Sequence, residues 1–169
     1  VAWCWKAGNG TTVNNDGTIQ STVSVNQDAG FSIVSYTGND VEGATVGHGL
    51  SRAPEIIFIK NLDSAENWAV YGLDGQSTLY LNLTNAESTS DYTFDSTNTT
   101  SKFFQLGSGD LTNHNIERNI AYCWHSVEGY SKIGSYIGNG NADGAFLYLG
   151  FKPAWVMVKG TSADRSWFI

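Results

Sequence analysis

Gly30-Phe31-Ser32-Ile33-Val34-Ser35-Tyr36-Thr37-Gly38-Asn39 is written again, with few changes, as Gly129-Tyr130-Ser131-Lys132-Ile133-Gly134-Ser135-Tyr136-Ile137-Gly138-Asn139. The likeness continues downstream in the same order. Gly43-Ala44, Pro54, Lys60 and Trp68 are answered by Gly144-Ala145, Pro153, Lys159 and Trp167. It also reaches upstream, where Val1-Ala2-Trp3-Cys4-Trp5-Lys6 matches Ile120-Ala121-Tyr122-Cys123-Trp124-His125. The chain's 2 prolines and 2 cysteines fall once in each copy. A repeat of this kind signals related modules that stack or pack on one another. The expected organisation is a first copy over residues 1–119, with an inserted N-terminal hairpin and a long polar loop, and a second, truncated copy over 120–169. Together they are expected to make one compact unit. Residue 1 already stands inside a motif and the second copy stops just past Trp167, so the sequence reads as an excerpt of a longer polypeptide.

Side-chain period assigns the elements. Residues 18–25, 31–36, 102–106 and 119–124 alternate apolar and polar, the signature of a strand with one buried face. Leu79, Leu81 and Leu83 share one face of a further strand. Ile56-Ile57-Phe58-Ile59 and Trp155-Val156-Met157-Val158 are continuous apolar runs, expected as strands buried on both faces, each led by a proline where a missing donor costs little. Asn15-Asp16-Gly17 signals a tight hairpin. Gly38-Asn39-Asp40 and Gly138-Asn139-Gly140-Asn141 punctuate the copies at the same place. The extra residue and Gly134 in the second copy suggest a β-bulge, and residues 85–101 read as a long surface loop. The expected fold is all-β, an antiparallel β-sandwich of jelly-roll or lectin-like type built from the two sequence-related copies.

Composition narrows the function classes. The 169 residues can bury a sizeable core, and 41% hydrophobic with 13% aromatic content excludes disorder. A net charge of −7, from 16 acidic against 9 basic residues with no basic cluster, opposes a nucleic-acid partner. No apolar run approaches the roughly 18 residues of a membrane helix, so no membrane insertion is expected. The cysteines, in Trp-Cys-Trp and Tyr-Cys-Trp, read as small buried apolar groups rather than a disulfide pair.

Chemistry-bearing patterns are sparse. Asn139, Asn141 and Asp143 imitate the opening of a calcium loop, with Gly144 at the sixth place, but Gly150 stands where the twelfth-position acid belongs. A turn between strands is the plainer reading, and no metal or cofactor is expected. His48, between Gly47 and Gly49, is expected in an exposed turn that could line a ligand groove. Its companions His114 and His125 lack a zinc or nucleophile spacing. Asp91 and Asp95 are the one carboxylate pair on a common strand face, which is thin support for glycoside hydrolysis. The chain is therefore read as not an enzyme. Trp5 with Trp124 and Trp68 with Trp167 recur as core or inter-module anchors, whereas Trp3 and Trp155 break the match; they could stack on a sugar, but a packing substitution is the plainer reading.

The strings VAWCWKAG (1–8), GFSIVSYTGN (30–39), GATVGHGL (43–50) and APEIIFIK (53–60), with AYCW (121–124), EGYSKIGSY (128–136) and GNGNADG (138–144), resemble a β-rich domain found in tail, fibre and other virion structural proteins of tailed bacteriophages, many of them marine. The resemblance covers the whole chain. It implies a virion module, in a tail fibre or appendage, that contacts other virion proteins, forms a homo-oligomer and supports host attachment through a bacterial surface glycan or receptor. It carries over no site residue. Loops 43–53 and 139–144 are the expected contact loops, and His48, Trp3 and Trp155 the expected ligand-binding residues. Rival readings are a carbohydrate-binding module of a secreted or virion-associated enzyme, a capsid decoration or inert spacer, and a polysaccharide depolymerase.

Overall fold

The computed structural model describes residues 4–71, 77–89, 93–94 and 99–169. In chain order the elements are β1 (Thr12–Asn14), β2 (Ser21–Asn26), β3 (Phe31–Thr37), β4 (Thr45–Gly47), β5 (Ile56–Asn61), β6 (Ala69–Tyr71), β7 (Thr78–Tyr80), β8 (Phe103–Gln105), α1 (Asp110–Asn113), β9 (Arg118–Trp124), β10 (Val158–Lys159) and β11 (Trp167–Phe168). Seven of the strands form one antiparallel sheet in the order β1-β2-β3-β9-β5-β6-β7. Among the described residues the chain is thus all-β apart from the single turn of α1. No helix among the described residues is long and apolar enough to cross a membrane.

Alternation fixes the faces of this sheet. The register places Val23, Val34, Ala121, Ile59 and Ala69 in one row across five strands, and all five are buried. The neighbouring row sets Ser32, Cys123 and Ile57 side by side. Against this face packs the ribbon of β4 and β8, whose cross-strand pair Val46 and Phe104 is fully buried in the same core. Each large apolar side chain removed from water here contributes roughly 1.5–3 kcal/mol.

Cys123 lies in this core and Cys4 is exposed, and both are free thiols. Burial pushes the Cys123 thiol far above its ordinary value, and a protonated thiol is a poor nucleophile. The native chain is therefore expected to titrate one cysteine with a thiol reagent and two after denaturation. Rapid modification of two would place Cys123 outside the core.

The strands expected at 31–36, 102–106 and 119–124 form, with small shifts of their ends, and 56–59 lengthens to Ile56–Asn61. The latter buries alternate residues rather than both faces. Several expectations are corrected. The strand expected over 18–25 begins at Ser21, because residues 15–20 form a loop in which Gly17 lies against Thr45; a Cβ there would come within 2.3 Å of the Thr45 carbonyl. The leucine strand stops at Tyr80 and turns, leaving Leu83 exposed. The polar loop 85–101 is not purely surface, since Phe94 is buried and bridges Leu106.

The largest correction concerns 129–169. Tyr36 is 4% exposed whereas Tyr136 is 49% exposed, and Ile57 is fully buried whereas its counterpart Val156 is 51% exposed. The run 155–158 contributes only Val158 to a strand, which pairs with Phe168. Residues around Gly134 form no strand, so the expected bulge is absent there. The sequence repeat therefore does not place equivalent residues in equivalent surroundings in this structure.

Candidate functional site

Since Ala121 and Cys123 point into the core, alternation turns Tyr122 and Trp124 to the opposite face of the sheet. The register then aligns Phe31, Trp124 and Ile56 in one row and Ile33, Tyr122 and Phe58 in the next. Phe31 stacks on Trp124 with centroids 4.9 Å apart, and Phe58 meets the same indole edge-on at 5.0 Å. Tyr122 lies 6.2 Å from both Trp124 and Trp68, nearly parallel to each. Above this layer Trp5 meets Trp124 edge-on at 6.0 Å, and Trp155 meets Trp5 edge-on at 5.4 Å with planes at 84°. Trp167 reaches the edge of Phe58, and its Nε1 donates to the Tyr80 carbonyl at 2.9 Å.

Each such aromatic pair contributes about 0.5–1.5 kcal/mol beyond its area. The sheet strands bury Phe31 and hold Phe58, Tyr122 and Trp124 half-buried, whereas Trp5 and Trp155 are 44% and 40% exposed. This face can bury an apolar or planar partner.

Among the described residues, the sequence-expected site residues do not gather in one place. Trp155 joins the aromatic face at its rim. Trp3 lies outside the described residues, as do Asp91 and Asp95. His48 is corrected from an exposed turn to the interior: it is fully buried, its Nε2 facing the Thr100 carbonyl at 3.1 Å while Nδ1 accepts from the Leu50 amide. The stretch 43–53 around it contains β4, so it is only partly a loop. Asn139 and Asn141 are exposed, and their side-chain oxygens accept from the amides of Asn141 and Asp143, which is turn chemistry. Among the described residues, no three His, Cys, Asp or Glu side chains converge as a metal site.

His48 carries a pH consequence. Burial lowers its pKa below the usual histidine value, and an Nδ1 that accepts from an amide has no room for a second proton. The unfolded chain therefore binds the proton first as pH falls through about 6.5, and stability drops from there downward with a slope of at most about 1.4 kcal/mol per pH unit. Urea unfolding between pH 7 and 5 should show this decline, and His48→Gln should flatten it. An unchanged slope in the variant would assign the decline to another group.

Sequence reasoning placed the recurring tryptophans as anchors but missed that Tyr122, Trp124, Phe58 and Phe31 make one face. The signal was present in Ala121-Tyr122-Cys123-Trp124, which puts aromatics at alternate positions. What the sequence lacked was the pairing of β9 between β3 and β5.

The family model described as a domain of unknown function, DUF7483, matches residues 1–169. The chain belongs to this family. No curated protein and no solved structure matches it. The DUF7483 chain thus brings an aromatic face and a buried histidine.

Proposed function

We propose that this DUF7483 chain is a non-enzymatic structural module of a tailed-phage particle, set in a tail fibre or appendage, where it supports attachment to the host surface. The finer architecture belongs to the same reading: a sandwich-like unit of two related copies, repeated in a homo-oligomer and bound to other virion proteins. The observation that carries it is the rim of the aromatic face. Trp5 and Trp155 stand perpendicular, which suits interlocking with another polypeptide surface and not the flat platform a sugar ring needs. Tryptophan is also among the residues that dominate protein interfaces. Antibody raised against the domain should label tails or appendages of intact particles in electron micrographs, and the domain should bind host cells. Label confined to the capsid would turn the reading into a decoration or spacer, and purified particles without label would reject it.

A second reading, a carbohydrate-binding module, draws on the near-parallel Trp68, Tyr122 and Trp124. Titration with host envelope polysaccharide should then shift tryptophan emission. Unmoved emission at saturating glycan rejects it.

A further inference from the structure

Three segments meet at the end of the sheet where β3 and β5 finish and β9 starts. The Gly38 amide donates to the Glu117 carbonyl at 2.9 Å, the Ile116 amide to the Gly38 carbonyl at 3.0 Å, and the Leu62 amide to the Arg118 carbonyl at 2.8 Å. Each segment presents an apolar side chain to water, since Val41, Ile116 and Leu62 are 56%, 80% and 50% exposed. Ile116 does so at a φ of +60°, a left-handed conformation that a β-branched residue rarely adopts. Strain of this kind collects at functional contacts. On the same segments stand the carboxylates of Asp40, Glu42, Asp63, Asp110 and Glu117. Of the cations there, Arg118 is spent on Asp63 and Lys60 on the carbonyls of Asn61 and Ser64, while His114 faces Glu117.

A surface of the opposite character lies on residues 132–152. Ile137, Phe146 and Tyr148 are 92%, 88% and 82% exposed, Lys132 and Lys152 stand at the two ends, and Asp143 is the acid between them. This stretch stands clear of its own body. A Cβ at Gly134, Gly138, Gly140, Gly144 or Gly150 would meet no atom within 4 Å, whereas one at Gly17 or Gly38 would fall 2.3 Å from a carbonyl oxygen. Among the described residues, its one hydrogen bond to the rest of the chain runs from the Ile133 amide to the Ser126 hydroxyl. The sign of charge divides in the same way: residues 129–169 carry four basic and two acidic side chains, and residues 1–128 five and fourteen.

We infer that the stretch 132–152 of one molecule docks on the patch of Val41, Leu62 and Ile116 of a second copy of this chain. Apolar side chains then meet apolar side chains, and Lys132 and Lys152 meet the unpaired acids Glu42 and Asp110, which sets the orientation. Phe146 and Tyr148 together bring roughly 300–500 Å² to the contact, about half of the roughly 800 Å² that each partner of a specific interface contributes. A second copy supplies the patch because the stretch is held away from its own. Ile133 is tied to Ser126, and Trp155 reaches Trp5 and through it Trp124; both ties lie at the far end of the seven-residue β9, roughly 20 Å from Arg118. The two surfaces differ, so the contact is head-to-tail and builds a ring or a filament. It gives the homo-oligomer proposed above its interface, and rests on that reading for the partner being a second copy.

Light scattering of the full chain over a concentration series tests this. The parent should form an oligomer, and Ile116→Asp, which removes the patch, and Phe146→Asp, which removes the docking stretch, should each leave a monomer with unchanged circular dichroism. Mixing the two variants is the decisive step. Each keeps one intact surface, so the mixture should give a heterodimer and nothing larger. Ile116→Gly should raise the thermal midpoint by relieving the backbone and still lose the oligomer, whereas a residue of merely local importance would move the midpoint alone. An oligomer that survives both aspartate variants overturns the inference and leaves the homo-oligomer standing on another surface. Two monomeric variants whose mixture stays monomeric overturn the pairing of these surfaces. A parent that is monomeric at every concentration overturns the inference and the homo-oligomer together.

Discussion

Phe104→Ala should lower the unfolding free energy by about 3–5 kcal/mol, the range for truncating a fully buried phenylalanine. Phe104 has no exposed surface, pairs across the ribbon with Val46, and meets Tyr36 edge-on at 6.1 Å. Beneath the ribbon lie Val34, Ala121 and Ile59, also without exposed surface. The site is closed from both sides by paired strands, so it has little freedom to collapse around the missing ring, and the cavity term adds to the lost transfer energy. Because domains of this size hold only about 5–15 kcal/mol in total, the variant gives up a large share of its stability. Its urea midpoint should fall at unchanged m-value. Trp155→Ala, at the exposed rim, should cost far less. If the two variants shift the midpoint equally, the ribbon does not cover the sheet as described.

The contrast between those two aromatics also explains how far the sequence could be read. β3, β8 and β9 were legible because each alternates, and alternation is a local property of the strand itself. β5 was legible as an apolar run, although Phe58 turned out to belong to the second face. Trp155-Val156-Met157-Val158 is equally apolar, yet in this structure it finds no strand pair on both sides, and pairing is a property of two segments, not of one. His48 misled for the same reason. Its flanking glycines suggested a surface turn, but its burial is set by Thr100, which lies 52 residues away. Phe94 stood in a polar stretch whose composition gave no sign that one ring would reach Leu106. The aromatic face was half legible: the spacing of Tyr122 and Trp124 announced it, while its neighbours Phe31 and Phe58 depend on a strand order that no local pattern records.

The second large effect is expected from Asn113→Asp, a change of one side-chain group in a buried clamp. Asn113, on α1, is fully buried. Its Nδ2 donates to the carbonyls of Val41 and Gly107 at 3.0 and 2.9 Å, and its Oδ1 accepts from the Asn39 amide at 3.0 Å. The same turn receives the Asp40 amide at the Asn113 carbonyl and the Tyr36 hydroxyl at the Thr112 carbonyl. It sits so close to Gly38 that a Cβ there would fall 2.3 Å from the His114 carbonyl. One side chain thus ties the turn after β3 to α1 and to the segment after β8. Aspartate keeps the Asn39 bond but turns an oxygen toward two carbonyl oxygens, leaving a buried charge without a cation and costing about 3 kcal/mol or more at pH 7. Burial and the facing carbonyls favour its protonated form, so its folded pKa stands above the unfolded value of about 3.9. Between the two values the native state holds a proton that the unfolded chain has released, and stability falls as pH rises. The deficit relative to the parent should therefore be smaller at pH 4 than at pH 7, whereas Asn113→Ala should show a deficit that does not change with pH. Comparing each variant with the parent at the same pH cancels the contribution of His48 and of Glu117, whose carboxyl is held low by hydrogen bonds from Ser64 and Asn61. A deficit for Asn113→Asp that is equal at both pH values would mean that the introduced carboxylate reaches water and that the clamp does not hold these three segments together.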